Sequence, residues 1–164
     1  MKRIGILTGG GGGSESVLVQ RVEATPNTTY SSITTALPVD DSIPQNTEGD
    51  EVITVTITPT SATNRLVIRA KFMGTSNTAL LTVIALFQDA TANALAVAYQ
   101  ISTADGLMSI DLVYEMAAGT TSATTFKLRA GNNGGATTYV NGVSAGRRFG
   151  GVSACRLSVE EIKV

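Results

Sequence analysis

The side chains able to do covalent or acid–base chemistry are one thiol, Cys155, a scatter of carboxylates and many serine and threonine hydroxyls, and the chain has no histidine to serve them. Histidine is the commonest general base near neutral pH and the commonest protein metal ligand, so its absence removes triads, proton shuttles and most transition-metal sites together. A hydroxyl or thiol nucleophile needs a base or a depressed pKa before it reacts. A single cysteine also excludes an intrachain disulfide and a cysteine metal cluster. It lies in the alternating run Val152 to Leu157, where the expected role is that of a half-buried small residue. These residues point away from an enzyme: no catalytic residue, no metal ligand set and no cofactor is expected.

Three local motifs invite a sharper reading. The acidic group Asp40, Asp41, Glu48, Asp50 and Glu51 offers the oxygen ligands a hard cation takes. Its spacing is not that of a helix–loop–helix calcium site, and Pro38 and Pro44 stiffen the loop, so solvated loop charges are the expectation. Asn132, Asn133, Tyr139, Asn141, Arg147, Arg148 and Phe149 cluster on two glycine-rich loops. Amides, guanidinium groups and rings together are the means of gripping a glycan, although no tryptophan platform accompanies them. The opening Lys2-Arg3-Ile4-Gly5-Ile6-Leu7-Thr8-Gly9-Gly10-Gly11 resembles the amino terminus of phosphofructokinases, in which a strand runs into a phosphate-cradling glycine turn. The helix that such a turn needs does not follow, because Ser14 to Glu23 reads as a strand, and phosphate binding is not expected.

A chain of 164 residues fits one domain and can bury a self-sufficient core. Charged residues make up 15% and aromatic residues 5%, so the core must be Val, Ile, Leu and Ala, and the surface must be Thr, Ser, Asn and Gly. Net charge is −1, which gives no field to attract nucleic acid. No segment reaches the ~20 apolar residues of a membrane span, so no membrane insertion is expected.

The elements that must position these residues are strands. Val17 to Glu23 alternates and stops at Pro26; a polar strand is expected near Thr28 to Thr35; Leu37 to Asp50 is a long loop. Val52 to Ile57 and Arg65 to Phe72 alternate on either side of a turn and read as a hairpin. Ala79 to Phe87 and Ala94 to Ile101 are nearly all apolar, as in strands buried on both faces. Further strands are expected at Leu107 to Met116, Thr124 to Ala130, Thr137 to Val140 and Ser153 to Val164. The pattern predicts an all-β fold: a two-sheet antiparallel sandwich, jelly-roll-like, with about ten strands. Residues 1–16 are set apart as an extended Gly-rich anchoring tail and residues 17–164 as the sandwich. In the tail, Ile4, Ile6 and Leu7 would dock on an assembly, with Gly9, Gly10 and Gly11 as the joint.

Four strings, Leu37 to Glu51, Ile57 to Ile68, Leu86 to Asp89 and Ala118 to Gly131, resemble in order and spacing the small β-sandwich modules of tailed-bacteriophage and prophage virion proteins. That resemblance implies a fibre, tail-tip or capsid-decoration role, a homotrimer, and no catalytic residues. The resulting expectation is a non-enzymatic structural protein on the virion surface, a decoration or head-fibre subunit assembled in the bacterial host cytoplasm. Its partners would be itself and a phage capsid or tail protein. The alternative is a tail-associated receptor-binding module that grips a host surface glycan through the asparagine- and arginine-bearing loops. A cell-wall hydrolase is a third class and would need a carboxylate pair in a cleft.

Overall fold

The computed structural model describes residues 16–164. The expected anchor residues Ile4, Ile6, Leu7, Gly9, Gly10 and Gly11 lie outside the described residues. In chain order the strands are β1 (Val17–Glu23), β2 (Ser31–Ile33), β3 (Asp50–Ile57), β4 (Arg65–Ser76), β5 (Leu81–Gln88) and β6 (Ala96–Ile101). They continue with β7 (Met108–Ala117), β8 (Thr124–Asn132), β9 (Thr138–Val140), β10 (Gly142–Val143), β11 (Gly146–Arg147) and β12 (Arg156–Lys163). A single 3-10 turn, Phe149–Gly151, is the only helical piece among the described residues.

The fold is the expected antiparallel, jelly-roll-like sandwich. One sheet runs β1-β12-β4-β7, and β9 follows β12 along the same side of β4, carrying β2 beyond it. The other runs β3-β8-β5-β6. Alternation then builds the core. Leu66, Ile68, Ala70 and Phe72 of β4, with Ile110, Leu112, Leu157 and Val159, meet Ile53, Val55, Ile57, Ile84, Leu86, Phe126 and Leu128 from the facing sheet. Cys155 joins this core fully buried, more deeply than its alternation predicts, and burial pushes its thiol up to about 11.

The expected hairpin does not form. β3 pairs with β8 in one sheet, and β4 pairs with β12 and β7 in the other, so residues 58–64 cross between layers. The physical reason is Glu161 on β12, which is fully buried and gathers that crossover. One carboxylate oxygen accepts the Thr60 N–H at 2.8 Å, the Thr60 hydroxyl at 2.8 Å, the Ser61 N–H at 3.2 Å and the Asn64 amide at 2.7 Å. The other accepts the Gln20 amide at 2.6 Å. Burial alone would raise the pKa of Glu161, but these donors from Gln20, Asn64 and Thr60 outweigh it and hold the carboxyl at about 2. A hairpin would leave this carboxylate buried and unpaired.

Two further expectations shift. The polar strand shrinks to Ser31–Ile33, with Asn27 turning the chain by accepting the Thr29 N–H at 2.9 Å. β6 is an edge strand with one bare face rather than a strand buried on both faces.

Because the folded pKa of Glu161 lies below the ordinary 4.5, its contribution is complete above that pH and is lost as pH falls towards 2. Glu161→Gln should lower unfolding stability at neutral pH by about 2 kcal/mol. It should also flatten the acid limb of a pH series of urea melts, and an acid limb identical to the parent's would refute the hub.

Candidate interaction face

The long loop, residues 34–49, is not a free surface loop; it is strapped across the outer face of the β3-β8-β5-β6 sheet. Leu37 is fully buried there against Val83, Ala85 and Phe87, the outward residues of β5. Its N–H donates to the Asn132 carbonyl at 2.8 Å, and the loop lies so close that a side chain at Gly131 would strike Leu37 and the Thr35 carbonyl. The Arg129 guanidinium donates to the Glu48 carbonyl at 2.8 Å and to the Gly49 carbonyl at 2.6 Å. The Asn46 N–H donates to Ala92 at 2.8 Å and the Ala94 N–H to Pro44 at 2.9 Å.

The strap stops short of β6. Between it and that edge runs a groove of about 260 Å³ lined by Pro38, Val39, Asp40, Ser42, Pro44, Val83, Val97 and Tyr99. Val97, Tyr99 and Ile101 sit on one face of β6 at 43%, 62% and 72% exposure, beside exposed Val39 and Ile43. The outer face of the other sheet is different in kind. There Arg21 pairs with Glu23 and Glu160, Arg156 with Glu23, Arg69 with Glu160 and Arg65 with Glu115. Exposed pairs of this sort contribute little to stability, and they mark a solvated surface.

The acidic group does not converge on a cation. Asp40 is held below the usual carboxylate range by the hydroxyl and then the N–H of Ser42, and no metal-holding group of three or more His, Cys, Asp or Glu occurs among the described residues. Asp40 and Ser42 thus turn the strap at the groove's rim.

The loop residues predicted to meet a glycan divide by burial. Asn132 is buried, its amide donating to the Ala136 carbonyl at 2.8 Å and to the Thr138 hydroxyl at 3.0 Å. Asn141 is buried in a left-handed conformation (φ 56°), donating to the carbonyls of Asn27 at 2.7 Å and Thr29 at 3.0 Å. Both are spent on holding loops. Asn133 is exposed, but its side-chain oxygen accepts the Leu81 N–H at 3.1 Å. Tyr139 stacks on Tyr30 with ring centroids 6.1 Å apart, which occupies one face of its ring. Tyr30 in turn donates to the Val143 carbonyl at 3.0 Å, and burial, with Tyr139 and Asp105 nearby, raises its pKa. The Arg148 guanidinium caps the carbonyls of Gly146 and Arg147, each at 3.3 Å. Arg147 and Phe149 alone among them remain outward with open side chains.

Sequence reasoning missed the strap and the strip. One signal was available: Val97, Tyr99 and Ile101 alternate with Ala98 and Gln100, the period-2 pattern of a strand whose two faces differ.

A family model described as the Pgp3 C-terminal domain matches residues 22–164. A search of curated proteins finds no match. The family match overturns the phage reading: the virion-module resemblance, the decoration or head-fibre function, the receptor-binding alternative on a phage tail, and the virion-surface location all fall with it. The strings that carried the resemblance misled for a physical reason. Leu37 to Glu51 is the strap, Ile57 to Ile68 the inter-sheet crossover and Ala118 to Gly131 a turn into β8, which are strand-and-turn solutions open to any sandwich.

Asn141→Ala should unfold the protein several degrees earlier in a thermal melt, and Leu37→Ala should cost about 2–4 kcal/mol and raise binding of an apolar dye. An unchanged melting temperature in Asn141→Ala would free that side chain for a ligand role.

Proposed function

The chain belongs to the Pgp3 C-terminal domain family, and from that premise we propose that it is a non-enzymatic module that works by assembling with copies of itself, as a homotrimer. The observation that carries the reading is the bare apolar strip on β6. Val97, Tyr99 and Ile101 expose a continuous apolar row, with exposed Val39 across the groove beside them, and an apolar patch rimmed by polar residues is the kind of surface that marks an interaction site.

A second copy is the favoured occupant because most oligomers are closed and built from one chain. The strip is one strand wide and lies at the sheet's open edge, so narrow strips from several copies can meet around a shared axis and cover that edge as well. A charge-laced outer face on the opposite sheet would then stay in water. The non-catalytic reading is supported by the chemistry lining the groove: its one carboxylate, Asp40, is committed to Ser42, and the chain has no histidine.

The double variant Tyr99→Lys with Ile101→Lys should sediment as single chains at a concentration where the parent sediments as an assembly. Its far-ultraviolet spectrum should be unchanged, since both side chains are exposed. A variant that still sediments like the parent would move the interface elsewhere.

A further inference from the structure

On the opposite, charged face, a second groove of about 280 Å³ opens where the Phe149–Gly151 turn leans over the start of β12. It is lined by Lys71, Met73, Phe149, Val152, Ser153, Ala154 and Arg156. Three features of this groove stay unexplained by the fold itself.

The first is charge. Lys71 and Arg156 stand directly opposite each other across β4 and β12, and like charges so placed repel. Arg156 is relieved by Glu23 at 3.2 Å, but Lys71 forms no salt bridge among the described residues, Asp111 opposite it on β7 included. The second is an orphan hydroxyl: Ser153 Oγ is buried in the same lining without a hydrogen-bond partner. A buried hydroxyl left so is costly. The third is an aromatic side chain held out into water. Phe149 is 66% exposed and Val152 86% exposed, and Phe149 holds φ at 56°, a conformation that disfavours a bulky residue. The turn is fixed by the Val152 N–H donating to the Phe149 carbonyl at 3.1 Å, and the left-handed backbone at Gly151 (φ 92°) disfavours a side chain there. Strain retained at an exposed ring is the pattern of a ligand clamp.

We propose that this groove binds the carboxyl terminus of a partner polypeptide whose last side chain is apolar. Lys71 and Arg156 take the carboxylate, while Phe149, Val152 and Met73 enclose the side chain. In a chain terminus the carboxylate and the last side chain leave the same carbon. That short separation matches a small groove with cations on one wall and hydrocarbon on the other. A lipid tail would overrun the space, which is at the lower end of small-molecule sites. The site is remote from the β6 strip and does not depend on self-assembly.

The test is a titration of the full chain, followed by amide NMR shifts, with an octapeptide ending in leucine as the free carboxylate. Shifts should map to residues 71–73 and 149–156, with a Kd between about 10 µM and 1 mM. The same peptide ending in a carboxamide should bind at least about tenfold more weakly, and Lys71→Met and Phe149→Ser should each weaken the free-acid peptide about tenfold. No binding at about 1 mM overturns the proposal, as does equal affinity for the carboxamide or for the Lys71→Met chain. Octanoate binding as tightly as the peptide would overturn the polypeptide assignment. The carboxamide comparison uses the unaltered chain, so the test survives any variant that fails to fold.

Discussion

Strand β5 is apolar on both faces, and most of the molecule is arranged around the need to cover it twice. Its inner residues, Ile84 and Leu86, are covered by the facing sheet in the usual way of a sandwich. Its outer residues, Val83, Ala85 and Phe87, have no third layer and are covered by the strap, with Leu37 as the side chain that seats it. Strapping a loop onto a sheet brings backbone polar groups down with it, and these must be paired. Arg129, Gly49, Asn132 and Ala94 supply those partners. The glycine at 131 supplies the clearance.

The cover is incomplete, and function is proposed where it ends. The strap protects β5 but leaves the outward side chains of β6 bare, at an edge whose backbone has only one neighbouring strand. The opposite sheet solves the same problem differently, by placing interleaved acids and bases outward over Val67, which is buried beneath them. The two outer faces therefore suit different surroundings. The salt-bridged face suits water, and the β6 face suits a protein partner.

How far the sequence reveals this follows from what each feature depends on. Alternation in β1, β7 and β8 is local, so those strands are readable to within a residue or two, and with them the all-β class. The two-faced burial of β5 was also readable, because a continuous apolar run admits few other solutions. The crossover at 58–64 was not, because it depends on Glu161, about a hundred residues away in sequence and unremarkable as one acidic residue in a strand. The loop asparagines are ambiguous for a related reason. Asparagine is a ligand group and equally a loop-fixing group, and only the partners of Asn132 and Asn141 tell which. Phe149 is an aromatic on a glycine-rich loop, which the chain shows, but its groove is completed by Lys71 and Arg156, from strands whose pairing the chain order does not disclose.

The measurement that bears most directly on the central claim is the mass of the unaltered chain in solution, by light scattering over a hundredfold dilution. A face that exists to be covered by copies of the same chain predicts a mass near three chains that persists across the series, or gives way to single chains only at the lowest concentrations. A mass of one chain at every concentration would contradict the account and leave the β6 strip to a different protein.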